Sequence, residues 1–512
     1  MVIKLKRGKN LISNVLLSGV VSVLMRYIGL RFNVYLNDSV GALGMGVYTL
    51  ILSVGGFAIT LALSGVGIGS TRLCSDAYAK NEYGKVRACV RVCVMYALFF
   101  GFLSAVLLFF CAEPISVKIL KNQTCTEPLK VFAFCTPFMA VSSAIGGYFL
   151  SCGRIYKSLI SGICQQFISI GTTVCFANYC NFSENPAFYI IFGSLIGEIS
   201  GLIILLLFYI LEVKTHLSNS ISKEKGRLRE LCSISLPIAF SAYVKSILVS
   251  VEHILIPRGL ARFSGDTETA LADYGTLHAM AMPIILFPMV IISALAGLLI
   301  PEMSARNSLG DGYGVNRISS KVYRLTLAYS IGCSGIMLLC SDMFGEVIYN
   351  SSGAGEYIRY VAPLIPVMYL DHVTDGMLKG LGEQLYCMKV NIADAGISVI
   401  LVFFIVPYYG TIGYIFVVYA MEIFNSTLSI ARLLKICDFR IDFKNWLIKP
   451  LLCACITGIL CKAFMPSLFR KGGFGVALIV IIGGLIYLFC LFLFGVLSEK
   501  GLAGLGLSKL NK

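Results

Sequence analysis

Arg26 stands inside the first long apolar run, residues 11–35, and the positions three, four and seven residues from it are Gly19, Ser22, Gly29 and Asn33. At helical spacing these share one face. A guanidinium inside a membrane span is expensive unless it is paired or wet. Arg26 therefore has two readings: it holds an anion in a water-filled cavity, or a carboxylate on a neighbouring helix neutralises it. The small, polar stripe favours the cavity, because one ion pair needs less surface. Arg31 lies roughly 140° round the same helix and nearer its far end, where a long side chain can snorkel to water. It is the weaker anion ligand.

Lys245 is a second cation, in the seventh apolar run, with Glu252 seven residues on and roughly 10 Å away along the axis. Either the two partly neutralise each other or Lys245 is left for a substrate. A cation at mid-depth in the first helix of each half would put positive charge on both walls of one cleft. Phosphate or diphosphate on a lipid head group is the ligand such a cleft suits. Glu198 and Glu422 fall at matched mid-span positions and are candidates to carry a proton, with interhelical hydrogen bonding as the plainer alternative. The tenth run holds Asp371, His372, Asp375 and Lys379, and Asp394 follows in the eleventh. Asp375 and Lys379, four apart, are placed to pair; Asp375 and Asp394 join the candidates for ion or proton coupling. Gly65, Gly67, Gly69, Gly376 and Gly380 read as sites of close helix packing rather than a nucleotide loop.

The elements that must position these residues are membrane spans. Of 512 residues 57% are hydrophobic and only 13% charged, and many apolar runs reach the ~20 residues that cross a bilayer. The expected fold is an all-α integral membrane protein of about fourteen transmembrane helices. They run roughly over 11–35, 42–69, 88–110, 128–150, 159–179, 187–211, 232–256, 275–300, 322–340, 357–381, 390–408, 411–434, 449–465 and 474–497. Residues 1–211 form a six-helix lobe, 212–230 a basic connector, 231–436 a second six-helix lobe, and 437–512 two extra helices with a basic tail. Met1–Asn10 is basic, but the run after it is long and no small-x-small site follows, so it reads as an uncleaved first helix. Most of the 42 Lys and Arg, against 27 Asp and Glu, fall in segments on one side, which predicts both termini in the cytoplasm. The net charge of +15 is accordingly a topology signal and a match to anionic lipid, not a nucleic-acid surface.

The chain repeats itself. Pro137, Gly147, Gly153, Ile168 and Ser169 recur in the same order and without a gap as Pro366, Gly376, Gly382, Ile397 and Ser398. After a shorter loop, Ile191-Phe192 and Glu198-Ile199 recur as Ile415-Phe416 and Glu422-Ile423. A duplicated unit with an even number of spans gives parallel, pseudo-symmetric bundles, and transporters so built carry their site near the midplane. The nineteen cysteines lie mostly in apolar runs without framework spacing and read as small hydrophobes; a bridge between Cys111 and Cys125 has nothing to support it. No Walker loop or HExxH occurs and only four histidines are present, so ATP hydrolysis and zinc chemistry are not expected. No cofactor and no metal are expected either. Short outer loops leave no room for a catalytic ectodomain, and a non-enzyme follows.

Several stretches resemble one family in collinear order. They are Arg26-Tyr-Ile-Gly29, Gly41-Ala-Leu-Gly-Met-Gly-Val-Tyr48, Ser64-Gly-Val-Gly67 leading to Arg72-Leu-Cys-Ser-Asp76, Tyr274-Gly275 running to Phe287-Pro288 and Leu299-Ile-Pro-Glu302, and Thr374-Asp-Gly-Met-Leu-Lys-Gly-Leu-Gly382. Over nearly the whole chain the sequence is similar to the sporulation-protein branch of the polysaccharide/lipid-oligosaccharide flippases, in the multidrug-and-toxin-extrusion-like superfamily. The resemblance implies a V-shaped pair of bundles working by alternating access. It also implies undecaprenyl-diphosphate-linked envelope saccharides as substrate, and a role in spore cortex peptidoglycan. Related lipid II flippases place an Arg-x-x-Gly arginine in a cationic cavity, and Arg26 matches it. The sequence departs from them in two places: Arg31 is two residues after Gly29 rather than three, and the second helix has no arginine before Arg72.

The implied partners are a lipid-linked saccharide, membrane lipids and cell-wall synthases, in the plasma membrane. An ion-coupled multidrug antiporter on the same fold is the alternative; Arg26 argues against it and the carboxylates keep it open. A membrane-embedded polymerase or acyltransferase is disfavoured, and a scaffold role for a partner synthase stays open.

Overall fold

A computed structural model of the protein describes residues 2–79, 83–179, 185–216, 227–438, 442–469 and 472–496, and every regular element among them is helical. Much of the basic connector, from 217 to 226, and the basic tail from 497 lie outside the described residues. Among the described residues, eleven helical segments are long and apolar enough to cross a membrane. Two are too long for one pass: Gly19–Ala77 has 59 residues and Gln384–Ile436 has 53, where about 20 suffice at 1.5 Å each. Each breaks at a glycine with positive φ, Gly41 (69°) in α1 (Val2–Leu63) and Gly410 (59°) in α15 (Gln384–Ile436). Another pass is assembled from shorter pieces, α13 (Ser352–Val361), a 3-10 turn at Ala362–Leu364 and α14 (Ile365–Gly380). Pro363 and Pro366 lack the amide a continuous helix would need there. Two breaks and one assembled pass turn eleven segments into the fourteen helices that hydropathy predicts.

By packing the chain falls into two compact units, one of Met1–Phe32 with Ser39–Gly275, the other of Asn33–Asp38 with Thr276–Lys512. The first contains α2 (Val66–Ala79), α3 (Tyr83–Pro114), α4 (Thr126–Ser151), α5 (Ile155–Tyr179), α6 (Pro186–His216), α7 (Arg227–Ser264) and α8 (Thr267–Gly275). Its core includes the fully buried Ile145, Tyr148 and Phe149 of α4, packed with Val86, Val90 and Cys93 of α3.

The helix α7 belongs to this unit for a local reason: it runs antiparallel to the second half of α1, joined by hydroxyls. Ser250 donates to the Ser53 carbonyl at 2.8 Å, Thr60 to Ser246 at 3.1 Å, and Ser64 shares a hydrogen bond with Tyr243. At the end of this line Gly65 and Gly69 let α7 approach until a Cβ would come within 2.8 and 2.2 Å of Ser235. The packing boundary at Gly275 thus falls later in the chain than the lobe boundary expected at 231.

The second unit is built on α10 (Met289–Ser308), α11 (Gly312–Leu339), α14 and α15. The two helices beyond the repeat, α16 (Lys449–Phe469) and α17 (Gly472–Leu493), pack on α11. There Tyr487 donates to the Ala328 carbonyl at 2.7 Å and its ring lies over Gly332.

The duplication is visible in three dimensions. A Cβ on Gly147 would meet the Gly67 carbonyl at 2.6 Å; at the matching position of the second half, a Cβ on Gly376 would meet Ala296 at 3.1 Å. Gly153 (φ 71°) and Gly382 (φ 90°) both take the left-handed form at the ends of α4 and α14. Behind them the Arg154 amide donates to Phe149 and the Glu383 amide to Leu378, both at 2.9 Å. Glycine is needed at these turns because a Cβ disfavours positive φ. These residues then begin a clasp. In the first unit Arg154 and Lys157 both pair with the buried Glu212 near the end of α6. In the second Glu383 pairs with Arg432 at 2.7 Å near the end of α15, and Tyr386 stacks on the Arg432 guanidinium at 5.1 Å.

Close packing is likewise what the other glycines serve, since a Cβ on Gly380 would reach the Ile300 carbonyl at 2.7 Å. Cys111 and Cys125 are both free thiols.

Candidate functional site

Arg26 lies in the first half of α1, exposed, and among the described residues it makes no hydrogen bond or ion pair. Of its two readings, neutralisation by a neighbouring carboxylate has no geometry behind it. The stripe around Arg26 is divided in use. Ser22 is exposed. Gly29 gives passage to Gln166 of α5, whose amide donates to the Met25 carbonyl at 3.2 Å. Asn33 is taken up in the second unit, donating to the Ala279 carbonyl at 2.8 Å. Arg31 is exposed and, like Arg26, has no polar partner among the described residues.

Lys245 is exposed on α7, next to the Ser246 that α1 holds, and it shares the first unit with Arg26. One turn beyond Ser250, His253 shares a hydrogen bond with Tyr274 of α8 at 2.8 Å, which fixes α8 against α7.

The carboxylates divide between the units. Glu198 is buried on α6 and accepts a hydrogen bond from Gln165 of α5. The glycines beside it permit the approach: a Cβ on Gly197 would be 2.8 Å from the Gln165 carbonyl. In the second unit Glu422 lies near enough to Asp371 and Asp394 to feel both charges. Asn425, one turn after Glu422, donates to Asp371 at 3.3 Å. Asp375 is already engaged, in an ion pair with Lys379 at 3.0 Å. The matched glutamates thus have different surroundings, an amide donor for Glu198 and two further carboxylates near Glu422. Gln165 and Asn425 escaped the sequence reading, although a Gln-Gln pair at 165–166 inside an apolar run was the available signal.

The chain matches the polysaccharide biosynthesis protein family over residues 11–306. It is 24% identical over 441 residues to stage V sporulation protein B of Bacillus subtilis, covering 83% of each chain. It is 22% identical over 339 residues to sporulation protein YkvU of the same organism, covering 65% of this chain and 74% of the relative. Among solved structures it is similar to the lipid II flippase MurJ in an inward closed conformation, with a TM-score of 0.69 and 13% identity over 94% of this chain and 99% of that one. It is also similar to an inward-facing multidrug resistance transporter of the MATE family, with a TM-score of 0.62 and 14% identity over 81% and 97%. At those identities the structures bear on the fold alone. The match over more than half of the sequence makes this chain a member of the polysaccharide biosynthesis protein family.

Proposed function

We propose that this protein is a non-enzymatic flippase that carries an undecaprenyl-diphosphate-linked saccharide, a peptidoglycan or other envelope precursor, across the plasma membrane by alternating access. The sporulation proteins among its relatives favour spore cortex as the destination. The observation that carries the reading is Arg26, a guanidinium within a membrane pass that no side chain among the described residues neutralises. Such a charge is retained where an anion comes to meet it.

In this reading the diphosphate docks on Arg26 and Lys245 from the cytoplasm, where both chain termini lie, with Arg31 as a secondary contact. The prenyl tail stays in lipid while the glycan crosses. Transport needs an external bias, and the membrane potential supplies ~2.3 kcal/mol per charge per 100 mV. A proton would ride on Glu198, or on Glu422 with its neighbours Asp371 and Asp394. Asp375, held by Lys379, is the weakest coupling residue. A cell-wall synthase that polymerises the delivered precursor is the natural partner.

The test is Arg26→Ala in a depletion strain, scored by outward appearance of labelled lipid-linked saccharide. The expected result is loss of flipping with normal insertion and abundance; unchanged flipping at normal abundance overturns the assignment. A multidrug antiporter is the second reading, favoured by the carboxylates around Glu422. Drug efflux that survives Arg26→Ala and is lost in Glu422→Gln would select it.

A further inference from the structure

A groove of about 600 Å³ opens between α2 and α4 in the first unit, away from the residues assigned above. Its walls are apolar or small, with Gly67, Ile68, Gly147 and Leu150 among them. Arg72 and Asp76 stand along one side. They are one turn apart on α2 and both exposed. Among the described residues neither makes a hydrogen bond or an ion pair, even with the other. The Thr71 hydroxyl, next to Arg72 in the chain, is spent on the Gly67 and Gly147 carbonyls, at 2.8 and 3.2 Å. Ser75 and Ser143 also line the groove.

The two charges are not something the shared packing requires. Where the second half repeats the glycine crossing, the positions that correspond by the same offset are Pro301 and Ala305. The first half has a charged groove where the second has none of these charges.

We propose that this groove binds a phospholipid carrying a protonated primary amine, of the phosphatidylethanolamine type, as a resident lipid distinct from the transported one. The phosphate meets Arg72, which can hold two of its oxygens at once. The ammonium meets Asp76, and the acyl chains lie along Ile68 and Leu150. Four residues of helix separate the two charges by about 6 Å along the axis, a span that a phosphate and an amine joined by two carbons can bridge. A glycerol head group would bring no cation to Asp76, and a choline has no N–H to donate to it; specificity comes from the group left unpaired.

The full-length protein, purified and stripped of lipid, is titrated with phosphatidylethanolamine, phosphatidylglycerol or phosphatidylcholine and read by native mass spectrometry. The wild type is expected to retain the ethanolamine lipid at least tenfold better than the other two. Arg72→Gln should lose that retention at least fivefold, whereas Arg72→Lys keeps most of it. Asp76→Asn leaves the groove cationic and should shift preference towards the glycerol lipid. Three results overturn the proposal: full retention in Arg72→Gln, an unchanged lipid preference in Asp76→Asn, or binding of inorganic phosphate that displaces the lipid at millimolar concentration. Arg26→Ala should leave retention as in the wild type, which separates this site from the cargo site.

Discussion

Arg154 and Glu383 occupy the same place in the two halves of the duplication and carry opposite charges. Each follows a left-handed glycine and pairs with a residue near the end of the last helix of its own half, Arg154 with Glu212 and Glu383 with Arg432. The clasp is kept and its sign exchanged. A crossed pairing would set Arg154 against Arg432 or Glu212 against Glu383. Like-charge repulsion thus discourages each turn from docking on the wrong helix end.

Reversing the sign of the second clasp tests this relationship. Arg432→Glu should lower the unfolding midpoint slightly, as expected for a solvent-screened pair, and adding Glu383→Arg should restore it. In the first unit Glu212 is only 3% exposed, and removing one partner of a buried pair costs about 3 kcal/mol or more. Glu212→Ala should therefore lower the unfolding midpoint in detergent further than Arg432→Ala does. Equal shifts would contradict the difference in burial.

The glycine crossings should tolerate no side chain. Gly147→Val drives a branched group into the Gly67 carbonyl, and Gly376→Val drives one into Ala296. Overpacking of this kind costs about 1–3 kcal/mol, and the harm should be greater at Gly147, where the approach is closer, 2.6 against 3.1 Å. Gly153→Ala has open space around its Cβ, so its penalty should come from positive φ alone, about 1 kcal/mol. Parallel unfolding curves of the three variants would rank them.

The hydroxyl line between α1 and α7 should weaken in small, separable steps. Hydrogen bonds between membrane helices are worth about 0.6 kcal/mol on average. Ser250→Ala and Thr60→Val should each lose roughly that amount, and Gly69→Leu far more, because Ser235 and Leu231 already fill the space. Disulfide trapping between cysteines placed on the two helices would report the loosening.

One pH effect is expected outside the membrane passes. At the start of α8 the Thr269 and Glu268 amides donate to the Asp266 carboxylate at 3.0 and 3.2 Å, and they hold its pKa below the ordinary 3.8. A depressed carboxylate pKa stabilises above the ordinary value and loses that contribution as pH falls through the lowered one. Amide exchange at Glu268 and Thr269 should therefore stay protected from neutral pH down to the aspartate range and open below it. In Asp266→Asn the step should vanish.

Much of this architecture could be read before any coordinates, because a bilayer forces long apolar runs and a duplication keeps its glycines. Fourteen passes, close packing at Gly376 and Gly380, and the Asp375–Lys379 pair all follow from spacing within one helix. What spacing could not give was contact between distant segments. Arg154 and Glu212 are far apart in sequence, and nothing local says that they meet. Asn33 shares a helical face with Arg26, yet it is spent on the Ala279 carbonyl. The Gln165–Gln166 pair in α5 was a signal of polar contact, but its partners, Glu198 and the Met25 carbonyl, are set only when helices are placed.

The membership of α7 in the first unit bears on how the protein is made. Ser53, Thr60, Gly65 and Gly69 are inserted early, but the helix that covers them ends at Ser264, and α8 completes the unit at Gly275. During synthesis the Ser53 carbonyl, the Thr60 hydroxyl and the bare backbone at the glycines must wait in the membrane while the four helices from α3 to α6 and the connector are threaded. The first body can close only when more than half of the polypeptide has left the ribosome. A fragment cut before α7 would leave the glycine backbone at Gly65 and Gly69 without the helix that covers it.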